Sequence, residues 1–266
     1  MAFKSVTFWC EFPDSVDWKA FQKLIDFPCS IYITARNKKE FFAKRKNVAN
    51  RFIKVGAWPT LSFNRGYWFS GATSKKGIDA LKDFRKIPIK IDLEPPIHFR
   101  KYSDFAIFKY GFFALFLKRY HHRHYLYHTI HKLSQDTSII ASGFPFPLWL
   151  SRRYGGNVRT YKNIRKNYFI YTTFFSQPFK WMLNFYYRYF IRKKLKNEGN
   201  HVMFTTGCVG PGIYGNEPTF KNVHEFKKDL EMFASLGVEN LVVFEVAGIM
   251  KRDNPKGWIQ AIKEYL

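Results

Sequence analysis

The chain has 266 residues, of which 46% are hydrophobic and 20% aromatic, and its 44 Lys and Arg residues against 20 Asp and Glu give a formal charge of +24. The hydrophobic content excludes a chain that stays disordered for want of a core, and three scattered cysteines (Cys10, Cys29 and Cys208) exclude a disulfide framework. Because no window approaches the ~18 apolar residues of a spanning helix and the N-terminus lacks the apolar segment of a secretory signal, we expect a cytoplasmic protein.

Eight short runs rich in β-branched and aromatic residues alternate along the chain with segments of helical periodicity. The predicted strands cover residues 6–11, 30–36, 53–58, 89–94, 138–143, 168–173, 202–206 and 241–246. Between them, Asn37 with Glu40 and Asn222 with Glu225 are typical of capping boxes, and Asn254 precedes a proline as an N-cap does. Each strand–helix unit takes about 33 residues, the length of a βα unit.

This alternation predicts an α/β protein in which eight parallel strands close into a single (β/α)8 TIM-type barrel domain over residues 1–266. A doubly wound open sheet would use the same alternation of elements. The barrel is favoured because the first strand is followed by Glu11-Phe12-Pro13-Asp14 and not by the glycine-rich phosphate fingerprint of dinucleotide-binding folds.

Alternation within the strands separates the two faces of the predicted barrel wall. The fourth strand places apolar Ile89, Ile91 and Leu93 on one face, and Lys90, Asp92 and Glu94 on the other. In the other strands, the face that we assign to the barrel lumen carries these candidates: Trp9, Glu11, Tyr32, Arg36, Trp58 and Glu245. Barrels place their active sites at the carboxyl ends of the strands, so we expect a site there.

The pair Asp92 and Glu94 is the sharpest chemical signal in the sequence. Two residues apart on a strand, their carboxyl groups lie on one face at roughly 6–7 Å spacing. In a confined site two such acids do not ionise independently, so one can keep its proton while the other is an anion. Glycoside hydrolysis needs this division of labour between a general acid and a carboxylate.

A D-x-E motif at the end of the fourth strand of a barrel resembles the catalytic motif of chitinase-like family-18 hydrolases and of family-25 muramidases. The resemblance covers Asp92-Leu93-Glu94 together with the predicted architecture. It implies that Glu94 protonates the glycosidic oxygen. It also implies that Asp92 orients the acetamido group of the substrate or stabilises the charge that develops.

Glu11 and Glu245 end the first and the eighth strands, which become neighbours when a barrel closes. They are candidates for a second catalytic carboxyl pair, in a hydrolase that needs no cofactor or metal. In an alternative hypothesis they join Asp92 and Glu94 in holding a divalent cation through oxygen ligands, as in a lyase or isomerase.

Five further residues are predicted to bind substrate: Arg36, Trp58, Tyr32, Trp9 and Lys90. Aromatic rings offer flat faces to sugar rings, and an arginine binds an anionic group through two parallel hydrogen bonds. For the aromatic residues, packing inside the barrel is an equal alternative. In the loop after the third strand, residues 67–69 would extend an aromatic platform.

Two other segments have an unusual composition but match no known motif. The loop 205–217 is the most glycine-rich of the chain, and barrels often bind phosphate after their seventh and eighth strands, although a flexible lid or a plain turn is the simpler interpretation. Five histidines gather in one predicted helix: His121, His122, His124, His128 and His131. Without an HExxH motif, we interpret them as a solvated basic face.

The predicted helical stretches 103–133 and 178–197, after the fourth and sixth strands, are longer than a barrel needs and rich in aromatic and basic residues. Residues 150–198 contain 12 Lys and Arg and a single acidic residue. Such helices suit the surface of an anionic membrane, whereas no RNA-binding or helix-turn-helix motif supports nucleic acid. Ordinary outer helices of a basic protein are the other interpretation.

We therefore predict a glycoside-hydrolase-like enzyme that acts on a glycan or glycolipid, peripheral to the inner membrane surface. The alternatives are the divalent-metal lyase or isomerase, and a non-catalytic barrel that binds a membrane surface or a polyanion.

Overall fold

In a computed structural model, which describes residues 2–48, 50–96, 103, 111–112, 116, 120–175 and 179–266, eight strands form a closed barrel in the order β1 to β8. Pairing is parallel, as between β1 and β2 or β7 and β8. The predicted (β/α)8 architecture is therefore confirmed. The strands are β1 Ser5–Cys10, β2 Cys29–Ala35, β3 Ile53–Pro59, β4 Ile89–Asp92, β5 Ile139–Gly143, β6 Ile164–Ile170, β7 Met203–Thr206 and β8 Asn240–Phe244.

Helices lie between the strands, as the alternation predicts. They are α1 Trp18–Leu24, α2 Lys38–Val48, α3 Lys75–Asp79, α4 Arg123–Leu133, α5 Leu148–Tyr154, α6 Phe179–Glu198, α7 Val223–Ser235, α8 Val246–Met250 and α9 Pro255–Lys263. Short 3-10 turns lie at Pro13–Ser15, Phe63–Arg65, Ala80–Phe84 and Gly199–His201.

The predicted helix caps are confirmed by hydrogen bonds. The Asn37 Oδ1 accepts from the Glu40 amide at 2.9 Å, and the Asn222 Oδ1 accepts from the Glu225 amide at 3.0 Å. Asn254 caps α9 in the same way. These side chains satisfy amides that the first turn of a helix leaves unpaired, which fixes where the helices begin.

Every strand differs from its predicted bounds by one or more residues, and β4 ends at Asp92, two residues before the predicted end at Glu94. β6 begins at Ile164, four residues before the predicted start. The sequence analysis missed this first part of the strand because Arg165 and Lys166 interrupt the apolar alternation there. β8 ends at Phe244, and Val246, which was predicted to end the strand, begins α8 instead.

The chain divides into two compact units, each with its own buried core. Unit 1 comprises Met1–Ile33, Lys44–Val55 and Tyr168–Leu266, and unit 2 comprises Thr34–Ala43 and Gly56–Asn167. In unit 1, Phe8 and Phe21 pack edge to face at 5.8 Å between ring centroids. In unit 2, Tyr120, Leu150 and Tyr154 form a buried cluster.

The long helix predicted at 178–197 is observed as α6, 20 residues long. Of the stretch predicted at 103–133, the structure describes α4 and little before it, since residues 104–110, 113–115 and 117–119 lie outside the described part. Among the described residues, no helix has the length and apolarity needed to cross a membrane.

Candidate functional site

The strand β4 ends in a buried ion pair. The Lys90 Nζ lies 2.6 Å from the Asp92 Oδ2, and the two side chains are only 1% and 2% exposed. Strand geometry explains the pairing, because residues two apart point to the same face of the sheet. A buried charge is tolerated only when a partner and hydrogen bonds compensate its lost hydration, so this pair holds both groups in place.

Two tryptophans surround this pair. The Lys90 Nζ lies 3.1 Å from the ring centroid of Trp58, a close cation–π contact. Asp92 Oδ1 has no hydrogen bond of ordinary geometry in the described chain, but the indole groups of Trp58 and Trp68 lie near enough to favour the anion. Burial is the stronger effect, and it raises the pKa of Asp92 although Lys90 and the indoles oppose it.

Glu94 lies two residues beyond the end of β4 and is also buried, with 8% of the residue exposed. Its amide donates to the Phe69 carbonyl at 3.0 Å, which holds the chain in an extended course beyond the end of β4. Burial raises the pKa of Tyr154, and the charge of the nearby Glu94 carboxylate raises it further. Lys90, Asp92, Trp58 and Trp68 lie together in unit 2, and Glu94 lies two residues beyond Asp92; these five residues are called here the β4 cluster.

Glu11 and Glu245 come together in unit 1, where each directly follows the end of one of the paired strands β1 and β8. The Glu11 amide donates to the Glu245 Oε2 at 3.2 Å. Both residues are buried, with 5% and 2% exposed. The structure thus brings the Glu11 backbone to the Glu245 carboxylate, and the role of the two acids as a catalytic carboxyl pair stays a prediction.

A third acid, Glu217, belongs to the same cluster and was missed by the sequence analysis. Oxygens of Glu11 and Glu217 lie 2.8 and 3.0 Å from the position that a Cβ would take on Gly212, so the two carboxylates are only a few ångströms apart. The glycine is required there because a side chain would displace both acids. The glycine-rich loop after β7 contained the signal: it lets the backbone approach the acids closely. Glu11, Glu217 and Glu245 are called here the glutamate cluster.

Burial dominates the electrostatics of the glutamate cluster. It raises the pKa of Glu245 from 4.5 to about 7, helped by the negative charge of Glu217 and opposed by the Glu11 amide and Lys251. Burial also raises the pKa of Glu217, against hydrogen bonds from backbone amides. A carboxyl group in this range can hold a proton near neutral pH and release it, which is what a general acid requires.

The raised pKa of Glu245 predicts a pH-dependent stability. Between pH 4.5 and 7 the folded protein keeps a proton that the unfolded chain releases, so the free energy of unfolding falls as pH rises through this window. In Glu245→Gln the side chain is neutral at every pH. We expect the fall between pH 5 and 8 to be smaller in this variant, by up to about 3 kcal/mol. Urea unfolding across this range measures the effect, with exposed Glu231→Gln as the control; parallel curves for native and Glu245→Gln proteins would contradict the assignment.

The other predicted substrate-binding residues take different positions. Trp9 and Tyr32 are buried and pack edge to face in unit 1, with ring centroids 5.4 Å apart. The Arg36 side chain is exposed, and its amide donates to Glu40 at 2.9 Å in the cap of α2. The binding roles of these three residues stay predictions.

Among the described residues, no group of three or more His, Cys, Asp and Glu side chains is arranged to hold a metal ion. The divalent-cation hypothesis for Glu11, Asp92, Glu94 and Glu245 stays a prediction. The β4 cluster and the glutamate cluster belong to different units, and each is described by itself.

No protein-family model matches the sequence, and no curated protein matches it. Solved structures do: the PgaB (BpsB) glycoside hydrolase domain from Bordetella bronchiseptica is 11% identical, with a TM-score of 0.59 over 97% of this chain and 98% of that one. Dihydropteroate synthase from Yersinia pestis (10% identity, TM-score 0.44, 99% and 92% covered) and a bacterial fucosidase (12%, 0.44, 95% and 59%) are more distant. At such low identity the first similarity shows the fold alone: this chain shares a barrel fold with a glycoside hydrolase domain.

Proposed function

We propose that this protein hydrolyses a glycosidic bond of a glycan or glycolipid by carboxylate general acid–base catalysis. The observation that carries the proposal is the β4 cluster: two buried acids lie at and just beyond the end of β4, and one of them, Asp92, lies beside a lysine and two indole rings. A carboxylate pair next to aromatic faces is the combination that cleavage of a sugar substrate needs. The shared fold with the Bordetella bronchiseptica glycoside hydrolase domain supports it.

In this mechanism Glu94 donates its proton to the glycosidic oxygen as the bond breaks. Asp92 acts as the anion that stabilises positive charge on the sugar ring, and Lys90 at 2.6 Å favours its ionised form. The mechanism requires Glu94 to carry a proton while Asp92 is ionised.

Trp68 is the aromatic residue of the cluster best placed to meet a sugar ring, since it is only half-buried whereas Trp58 is 2% exposed. Its ring packs edge to face against Tyr67 at 5.1 Å between centroids. The Trp58 ring lies against the Lys90 Nζ and so orients the ion pair. We assign Trp68 to substrate contact and Trp58 to positioning.

A panel of chromogenic glycosides, beginning with N-acetylhexosaminides, tests the proposal. Release of the chromophore by the native protein, lost in Glu94→Gln, is the expected result. The proposed reaction needs no cofactor, so a chelator should leave the rate unchanged. Loss of activity with the chelator would favour the divalent-cation hypothesis instead.

We further propose that the protein works at the cytoplasmic surface of an anionic membrane. One face of α6 is exposed and aromatic, with Trp181 70% and Phe185 72% exposed, and Tyr189 lies farther along the same face. Arg192 and Lys196 continue this face toward the end of the helix and are exposed as well. Rings at headgroup depth beside cations on lipid phosphates are typical of helices that lie on a membrane. The three cysteines are free and buried, which suits a reducing compartment.

Liposome binding tests this surface. We expect more binding to vesicles containing phosphatidylglycerol than to neutral phosphatidylcholine vesicles, and weaker binding as salt rises. Phe185→Ala should lower the partition several-fold, because it removes an apolar ring from the interface. Phe63→Ala, another exposed phenylalanine, serves as the matched control. Equal binding to both vesicle types would contradict the proposal.

A further inference from the structure

Unit 2 contains an open pocket of about 730 Å³ between α4 and the segment that follows α5. Six of its lining residues are basic or can become so: Arg123, His124, His128, His131, Arg152 and Arg159. Among the residues that the structure describes, no Asp or Glu lines it. This pocket is remote in sequence from both the β4 cluster and the glutamate cluster.

The spacing of three histidines along α4 brings their side chains to the pocket. His124, His128 and His131 are spaced by four and three residues, so they share one face of α4. The structure corrects the predicted helix at one end: His122 is its N-cap and hydrogen-bonds the Thr73 carbonyl at 3.0 Å. The solvated basic face expected from the sequence is thus one wall of a pocket.

Arginines complete the pocket from two elements. Arg123 begins α4, whereas Arg152 lies on α5 and Arg159 in the following segment. Within the part of the chain that the structure describes, none of the three forms an ion pair with a carboxylate. The three guanidinium groups repel one another, and a bound anion would relieve this repulsion.

A polar group inside the wall adds a second, independent signal. The hydroxyl of Tyr127 is buried and makes no hydrogen bond of ordinary geometry in the described chain. Burial, the larger effect, raises the pKa of Tyr127, although the Asn157 backbone, Arg123 and Arg152 lie close enough to lower it. The Asn157 amide can only donate to this hydroxyl, and no group among the described residues accepts the hydroxyl proton, so a ligand oxygen that accepts it would be stabilised there.

We propose that this pocket binds a phosphate-bearing ligand with at least two negative charges. Guanidinium groups match phosphate oxygens in pairs of parallel hydrogen bonds. The donors of three arginines, three histidines and Tyr127 outnumber what the two oxygens of a single carboxylate can accept. The volume, about 730 Å³, lies within the range of small-molecule sites and leaves room for more than one phosphate group.

Calorimetric titration with inorganic pyrophosphate tests the proposal. We expect binding by the native chain and at least a ten-fold weaker affinity for the double variant Arg152→Ala/Arg159→Ala. Tyr127→Phe, which removes only the hydroxyl, should weaken binding by a smaller factor. Lys132→Ala is the matched control, because this exposed lysine lies on α4 but does not line the pocket. Thermal unfolding of each variant checks that it is folded.

Vesicles containing phosphatidic acid form the second arm of the experiment and separate a lipid headgroup from a free phosphate. Binding of pyrophosphate that depends on Arg152 and Arg159 supports a soluble ligand. Binding of the vesicles alone, lost in the same double variant but kept in Phe185→Ala, supports a lipid headgroup in the pocket. If neither probe binds, or if the double variant binds as Lys132→Ala does, the proposal is wrong.

Discussion

Replacing Glu94 with glutamine should lower turnover by about 10²–10⁴-fold, the usual contribution of general acid–base catalysis. Glutamine keeps the size and most of the hydrogen-bonding capacity of the side chain but has no proton to transfer. The affinity for substrate should change little, so the loss should lie in kcat and not in KM. Hydrolysis of the best chromogenic glycoside of the panel, followed at saturating substrate, measures it.

Two comparisons make this result specific. Glu231→Gln, an exposed residue of α7, makes the same chemical change away from the cluster and should leave kcat unaffected. Asp92→Asn should also lower kcat, and it should move a limb of the pH–rate profile because the two acids titrate as a pair. Undiminished activity of Glu94→Gln would remove Glu94 from the mechanism and shift attention to the glutamate cluster.

Lys90→Met should lower the free energy of unfolding by about 3–5 kcal/mol, the largest effect on stability that we expect. Its physical cause is the Asp92 carboxylate, which is 2% exposed and would lose the partner that compensates its burial. The cost should be greater at pH 8 than at pH 5, since a protonated Asp92 needs no counter-charge. Urea unfolding at the two pH values measures both parts of this prediction.

The exposed Lys54 of β3 offers a matched control, because Lys54→Met deletes a strand lysine without breaking a buried pair. The double variant Lys90→Met/Asp92→Asn should be more stable than the sum of the two single changes predicts, by about 0.5–3 kcal/mol for groups in direct contact. Additive effects would show that the ion pair contributes no coupling.

Much of the fold could be predicted because its signals are local. Strand alternation depends on residues two apart, and a capping box such as Asn222 with Glu225 depends on residues three apart. Both patterns survive whatever the rest of the chain does. β6 was misplaced for the same reason: Arg165 and Lys166 interrupt the local pattern, although tertiary packing makes this segment a strand.

The sequence indicated which acidic residues are candidates for the site, but not the surroundings in which the fold places them. Asp92 and Glu94 are conspicuous as a pair near a strand end, whereas the sequence assigned Lys90 only to substrate binding and missed Glu217. Lys90 proves to be the partner of Asp92, and Glu217 reaches Glu11 through a loop. The pKa of Glu245 follows from burial, which no sequence pattern measures.

The sequence by itself determined the alternation of strands and helices, the starts of three helices and the parity of the charged residues on each strand. Only the tertiary structure decided which charges are buried and which meet. Glu11 and Glu245 are separated by most of the chain, and Arg159 lies 36 positions after Arg123. Local periodicity arises from the geometry of a few successive residues, but desolvation and charge pairing depend on which distant segments the folded chain packs together.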